Sequence, residues 1–243
     1  MSKLFLYELR RTLCNRMFLG VFFINIFFAW YILTTEILIG IGYTAPFSLW
    51  SYSTYLAKVM PMGIMAVLLL LANYYGKKQK SVEVLTMAVP ITISQQMFIR
   101  MLAVGICFII ICFTDIGLAF FFYFHYFHFH DFLPFLFPTL FMTLPCFSFF
   151  LGLGQLFGKL HGNLIYILLF LTFFTGFGGY YIFDLFGVKY LSSYPLTLSI
   201  GNDGEPPFAP EPIFFVARLC YFLGGVFCII IFMVLLKHKQ RKA

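Results

Sequence analysis

Charged residues are scarce in this chain. Only 10% of its 243 residues are Asp, Glu, Lys or Arg, whereas 62% are hydrophobic, and the mean hydropathy is +0.94. A soluble domain carries about 25% charged residues and about half apolar ones, so this composition cannot cover a water-facing surface. Lipid is therefore the expected solvent for most of the chain, with the backbone hydrogen bonds closed inside helices.

Motifs for nucleotide binding and hydrolysis are also missing. No G-x-x-x-x-G-K-[ST] loop occurs, and the nearest segment, residues 154–159, has the wrong spacing and no following Ser or Thr to hold magnesium. No histidine lies inside a long apolar run, so an intramembrane protease would lack its base or metal ligand. We therefore expect no catalytic centre and no cofactor in this chain.

Six apolar stretches are long enough to cross a membrane, which takes about 20 helical residues. They lie at about 17–37, 54–75, 97–123, 132–157, 163–184 and 213–236. The sequence thus predicts an all-α integral membrane protein with six transmembrane helices in a single domain, residues 1–243. Residues 1–16, 76–96, 185–212 and 237–243 are left outside the helices, and helices one and two fall within 17–75 and helices three to five within 97–184.

The placement of basic residues predicts the orientation. Most of the 16 Lys and Arg residues fall on the side that carries both termini and the 76–96 loop, including the basic tail at 237–243. Most acidic residues outside the spans fall on the opposite side. The positive-inside rule then makes both termini cytoplasmic in a multi-pass protein of the plasma membrane. Because the basic residues are spread between spans, nucleic acid is not an expected partner.

The N-terminal segment, residues 1–16, has an amphipathic pattern. One helical face is apolar: Phe5, Leu6, Leu9 and Leu13. This pattern is typical of a helix that lies in the plane of the membrane interface. The alternative is a basic flank that only sets the topology.

The loop at 76–96 contains a predicted short helix. Ser81 fits an N-cap, Glu83 lies in the first turn, where the helix dipole favours an acid, and Pro90 ends the helix. Its apolar positions repeat at helical spacing: Val82, Leu85 and Val89. Such a cytosolic helix is suited to docking in a groove of a partner. A solvated basic loop is the alternative.

The outer segment at 185–212 is rich in proline and glycine, and its turn chemistry forbids a continuous helix. Residues 185–200 are nevertheless apolar enough to enter the outer leaflet where protein covers them. We expect this part to dip into the membrane and return.

Asp115 in the third predicted span and Arg218 in the sixth are ionisable residues inside apolar helices. Such groups are costly at membrane depth unless they are paired or hydrated. At about 1.5 Å per residue, both fall in the outer half of the bilayer. We expect them to pair with each other or to line an outward-opening cavity.

One histidine-rich segment is the weak candidate for a metal site: His125, His128, His130 and Asp131. These imidazoles do not all share a helical face, although a loop could bring them together. The alternative is an interfacial aromatic belt, because the neighbouring Tyr and Phe residues also suit the headgroup region. No bound metal is expected.

Three segments together resemble the ABC-2-type permeases, the membrane subunits of a large class of ABC exporters. Residues 5–16 resemble the family's interfacial elbow helix. Residues 77–92, with Ser81-x-Glu83-x-Leu85 and Pro90-Ile-Thr, resemble the loop that forms its coupling helix, and residues 149–159 are similar to its helix-four to helix-five turn. The chain departs from the family at Gly76-Lys77, where Glu-Arg is common, and in a Pro-rich insertion at 202–212.

The resemblance implies a half-channel that forms a homodimer, or a heterodimer with a second permease. A separate cytosolic ABC ATPase would bind ATP and magnesium and contact the coupling helix: Ser81, Val82, Glu83, Leu85, Val89 and Pro90. Re-entrant helices between helices five and six would gate the exit. The Phe-rich interior favours a hydrophobic or amphipathic cargo, such as an antimicrobial peptide or a drug, moving outward.

Two other functions stay open at this point. The first is a stand-alone membrane enzyme or metal-handling protein that uses residues 125–131. The second is a membrane scaffold or sensor whose 76–96 loop binds a cytosolic partner.

Overall fold

The computed structural model describes residues 2–76, 93–177, 184–201 and 204–241. Within these ranges every regular element is helical and no strand occurs. The α-helices are α1 (Ser2–Leu13), α2 (Arg16–Thr35), α3 (Leu49–Tyr75), α4 (Ile93–Phe127), α5 (Leu136–Leu160), α6 (Leu164–Phe177), α7 (Val188–Ser193) and α8 (Pro212–Arg241). Short 3-10 turns occupy Ile37–Ile39, Leu133–Phe135 and Tyr194–Thr197.

Five helices in the described part of the chain are long and apolar enough to cross a membrane: α2, α3, α4, α5 and α8. The prediction of an all-helical, multi-pass membrane protein is therefore confirmed. The predicted fifth span, 163–184, is described only as the 14-residue apolar helix α6. Residues 178–183 lie outside the described residues, so the sixth crossing stays a prediction.

Helix α3 begins earlier than the predicted start at residue 54. Ser48 caps it, since its hydroxyl oxygen accepts a hydrogen bond from the Ser51 backbone N–H at 3.1 Å. Polar residues continue through the first turns, and their hydroxyls donate back to helix carbonyls, as Thr54 does to Trp50 at 2.9 Å. Such internal bonds allow polar residues inside a membrane helix, although they lower the hydropathy on which span prediction depends.

Helix α3 is the centre of the bundle. It contacts α2, α4, α5, α6 and α7, and 78% of its most apolar stretch is buried. The corresponding share is 28% for α2 and 17% for α8. The outer helices therefore present apolar faces that only lipid or another membrane protein can cover.

The most extensive helix pair joins α5 and α8. A Cβ atom added to Gly152 would lie 2.4 Å from the carbonyl oxygen of Gly225, and one added to Gly225 would lie 2.3 Å from the carbonyl carbon of Ser148. Only hydrogen fits at these two positions, so the backbones touch. Small residues serve this purpose in membranes because helix association there depends on close packing.

The N-terminal segment forms the helix α1, and polar residues lie on the face that it packs against the bundle. Leu6 is 61% exposed and Tyr7 is 63% exposed, whereas Glu8 and Thr12 are buried against the bundle. The buried face is polar because its groups find partners on α3 and α4. The location of α1 in the membrane interface stays a prediction.

The outer segment forms two short helical pieces, α7 and the following 3-10 turn. The carboxylate of Asp184 accepts a hydrogen bond from the Tyr190 backbone N–H at 2.8 Å and so holds the start of α7. The Tyr190 hydroxyl in turn accepts one from the Glu211 backbone N–H at 2.7 Å, at the start of α8. Partial burial raises the pKa of Tyr190. The predicted re-entry of this segment into the membrane stays a prediction.

Candidate functional site

The predicted ATPase-contact residues are Ser81, Val82, Glu83, Leu85, Val89 and Pro90, and all of them lie outside the described residues. The structure does describe the two helices that flank them. Helix α3 ends at Tyr75 and α4 begins at Ile93. The contacts at these two helix ends define the candidate site, which we call the α1 end of the bundle.

The last turn of α3 is tied to α1 through a hydroxyl pair. The Thr12 hydroxyl donates to the Glu8 carbonyl oxygen at 2.7 Å and lies 2.5 Å from the Tyr74 hydroxyl oxygen. Because the single Thr12 proton is used by Glu8, Tyr74 is the donor in the second bond. The Tyr74 side chain is therefore oriented by its hydrogen bond to Thr12 on α1.

Helix α4 is tied to the same helix, α1, through a buried ion pair at its eighth residue, Arg100. A carboxylate oxygen of Glu8 lies 3.7 Å from Nε of Arg100, and both residues are almost fully buried. The other carboxylate oxygen lies 2.9 Å from Nη2 of Arg11, one turn along α1. Removal of either partner of a buried pair leaves a charge without compensation, so this contact fixes α1 against α4.

The Tyr74 ring lies close to both arginines. The guanidinium carbons of Arg11 and Arg100 each lie 5.4 Å from its centroid. A cation near an aromatic face gains electrostatic attraction from the ring quadrupole, and more so where water is excluded. The ring thus links α1, α3 and α4 into one unit.

As a result, α1 contacts both helices that flank residues 77–92. Sequence reasoning missed this arrangement because it considered only the apolar face of α1. A signal was available, since Glu8, Arg11 and Thr12 follow each other at helical spacing on one face.

The second group of buried polar residues surrounds Asp115. The Asn25 side-chain amide donates to an Asp115 carboxylate oxygen at 2.6 Å, and the Tyr55 hydroxyl donates to the Asp115 backbone carbonyl at 2.9 Å. Asn25 and Tyr55 lie on α2 and α3, so this group joins three helices. Within the described chain, the second carboxylate oxygen of Asp115 and the Tyr123 hydroxyl have no hydrogen-bond partner.

The third group surrounds Arg218 on α8. Its Nη1 donates to the Leu185 carbonyl oxygen at 2.7 Å and contacts Sγ of Cys146 at 3.5 Å. The guanidinium carbon also lies 4.9 Å from the Phe214 ring centroid and 5.9 Å from that of Tyr221. The guanidinium of Arg218 thus contacts a backbone carbonyl and two aromatic rings, and no carboxylate is among these partners.

The predicted pairing of Asp115 with Arg218 is therefore not formed. Each side chain bonds to a separate neighbour instead, because Asn25 reaches Asp115 from α2 and the chain after α6 brings a carbonyl to Arg218. Arg218 does border an apolar groove of about 450 Å³ between α5 and α8. An outward opening of that groove stays a prediction.

The candidate metal ligands His125, His128, His130 and Asp131 are all exposed and do not converge. Among the described residues, no group of three or more His, Cys, Asp or Glu side chains is placed to hold a metal ion. Helix α4 continues to Phe127 and carries His125 against the Phe121 ring, with centroids 5.8 Å apart. His130 lies edge-on to Phe124. These contacts fit the aromatic-belt alternative.

Comparison with known proteins finds no matching family model, no matching curated protein and no matching solved structure. The function is therefore argued from the geometry of the chain itself.

Proposed function

We propose that this chain is the membrane-spanning permease subunit of an ATP-driven exporter of the ABC-2 type. A separate cytosolic ATPase binds the 76–96 segment, and the α1 end of the bundle faces the cytosol. ATP and magnesium are bound by that partner, and this chain has no catalytic role. The observation that carries the proposal is the attachment of both flanking helices, α3 and α4, to α1.

The mechanical argument follows from two contacts. Tyr74 lies in the last turn of α3 and bonds to Thr12, while Arg100, the eighth residue of α4, pairs with Glu8. A force applied to residues 77–92 therefore reaches α3, α4 and α1 together rather than bending one helix end. Packed elements of this kind move as rigid bodies, which a transporter needs in order to convert closure of a partner into helix movement.

The exposed helices supply the second part of the proposal. The apolar stretch of α8 is 17% buried and that of α2 is 28% buried. A half-channel needs such faces, one for lipid and one for a second permease subunit, either a copy of this chain or a similar one. A hydrophobic or amphipathic cargo, such as an antimicrobial peptide or a drug, suits the aromatic interior.

The test is purification of the tagged full-length protein together with its partners after mild crosslinking. We expect an ATPase with a phosphate-binding Gly-rich loop to co-purify in stoichiometric amount and to hydrolyse ATP. The Glu83→Lys, Leu85→Ala double variant loses this ATPase. The His130→Ala variant, which changes the opposite end of the bundle, keeps it and serves as the control.

Three results contradict the proposal. Equal recovery of the ATPase with the loop variant and the control means that the segment is not its binding site. Stoichiometric zinc or copper, lost when His125 and His128 are replaced, supports the metal-handling alternative. A loop-dependent partner without ATPase activity supports the scaffold or sensor.

A further inference from the structure

A polar cavity of about 270 Å³ lies between α1 and the last turns of α3. Its lining residues come from both helices and the turn after α1: Arg11, Thr12, Asn15, Leu70, Asn73 and Tyr74. The Arg11 side chain is 32% exposed, so its guanidinium is accessible from this cavity even though it also contacts Glu8. The Arg11 guanidinium is therefore positioned by Glu8 but is still accessible to a ligand in the cavity.

The charges around the cavity do not balance. Two guanidinium groups, from Arg11 and Arg100, lie against the Tyr74 ring, and the single carboxylate of Glu8 contacts both. Among the described residues, one positive charge is thus left over at a place where water is partly excluded. Three more basic residues lie on α1 or at the start of α2, namely Lys3, Arg10 and Arg16. An anion is the complementary ligand.

The donor chemistry fits a phosphate group. Arginine presents a planar fork of N–H donors that matches phosphate oxygens, and Glu8 contacts only one side of the Arg11 fork. The side-chain oxygen Oδ1 of Asn15 accepts a hydrogen bond from the Met17 backbone N–H at 3.0 Å. The side-chain N–H₂ of Asn15 is the group that can donate to a ligand. The exposed Asn73 adds another amide at the rim.

We propose that this cavity binds the phosphate of an anionic membrane lipid. The lipid source is favoured over free phosphate because α1 exposes Leu6 and Tyr7 beside the basic residues. An amphipathic helix with basic and apolar residues side by side is suited to the boundary between headgroups and acyl chains, where anionic lipids are concentrated. The bound lipid then holds α1 at the membrane surface.

The experiment measures lipid binding to the detergent-solubilised full chain by native mass spectrometry, with phosphatidylglycerol as the probe. The Arg11→Gln variant is expected to bind it about tenfold more weakly, the effect of losing one charge-assisted hydrogen bond. The Arg10→Gln variant is the matched control, because it removes the same charge from the same helix at an exposed position outside the cavity. Its binding is expected to fall by less than about twofold.

A second variant is needed because Arg11→Gln also removes a contact to Glu8 and could weaken the packing of α1. Asn73→Asp keeps the shape of the side chain but places a negative charge at the cavity rim, and it is expected to weaken phosphatidylglycerol binding to a similar extent. Equal losses in the Arg10 and Arg11 variants, or full binding by Asn73→Asp, overturn the site. Competition by inorganic phosphate at the lipid's own concentration overturns the assignment to a lipid.

Discussion

Helices α3 and α8 show opposite relations between hydropathy and burial. The most apolar stretch of α8 has a mean hydropathy of 2.8 and is 17% buried, whereas that of α3 has a mean hydropathy of 2.0 and is 78% buried. In water the more hydrophobic helix would be the inner one. The reversed order here indicates that the surroundings of the bundle are at least as apolar as its interior.

The difference lies in what holds each helix in place. Helix α3 carries hydroxyl groups that bond to its neighbours, such as Tyr52, whose hydroxyl lies 2.7 Å from that of Thr139 on α5. Its one charged side chain in the membrane, Lys58, pairs with Glu36 at the end of α2. Helix α8 has fewer such bonds, those of Arg218 near its start, and packs its backbone directly on α5 at Gly225. Polar bonds therefore predominate around α3, whereas close backbone packing is more prominent at α8.

The largest expected effect comes from equal truncations on the two helices. Leu68 on α3 is completely buried, and Leu68→Ala is expected to lower the free energy of unfolding by about 2–5 kcal/mol, since it leaves a cavity. Leu223 on α8 is 55% exposed, and lipid can fill the space that Leu223→Ala leaves. Unfolding in mixed micelles measures both changes. Equal losses would contradict the assignment of inside and outside.

A smaller effect is expected where α8 meets α5. Gly225→Ala places a methyl group against the Ser148 backbone and is expected to cost about 1–3 kcal/mol as overpacking. Gly224→Ala is the neighbouring control, because its nearest atoms lie 3.9 Å away, an ordinary contact distance. The same unfolding measurement distinguishes them. If Gly224→Ala is the more damaging, α8 does not dock through Gly225.

The smallest expected effect concerns the polar bond between α3 and α5. Tyr52→Phe removes the hydroxyl that bonds to Thr139 and is expected to cost about 0.6–1 kcal/mol, typical of one hydrogen bond between membrane helices. Thr139→Val, alone and combined with Tyr52→Phe, completes a double-mutant cycle. A coupling energy of zero would show that the bond does not order the interior.

Hydropathy alone predicted the existence of the spanning helices but not what happens at their polar ends. It placed the start of α3 too late because polar residues such as Ser51 and Ser53 lower the local average. Their hydroxyls are nevertheless bonded, that of Ser51 to Thr44 in the turn before α3 and that of Ser53 to the Leu49 carbonyl oxygen. The amphipathic pattern of α1 likewise does not reveal that Glu8 is buried. In both cases a polar residue is buried because a partner on another turn or helix is available, and a window average contains no such information.

The partners of the intramembrane charges could not be read from the sequence. Opposite charge and similar depth favoured pairing Asp115 with Arg218, but depth does not fix which helices are neighbours. The fold brings α2 with Asn25 to Asp115 and a backbone carbonyl at Leu185 to Arg218. Nothing in the sequence distinguishes Asn25 from any other Asn. Only the packing of the helices identifies it as the partner of Asp115.

The proposed cytosolic position of the segment between α3 and α4 is tested most directly by cysteine labelling. In a variant without the native cysteines, Lys78→Cys is expected to react with a membrane-impermeant maleimide only after the cells are permeabilised. His130→Cys, at the opposite end of the bundle, is expected to react in intact cells. Labelling of Lys78→Cys in intact cells would contradict the orientation, and with it the proposal that a cytosolic ATPase drives this chain.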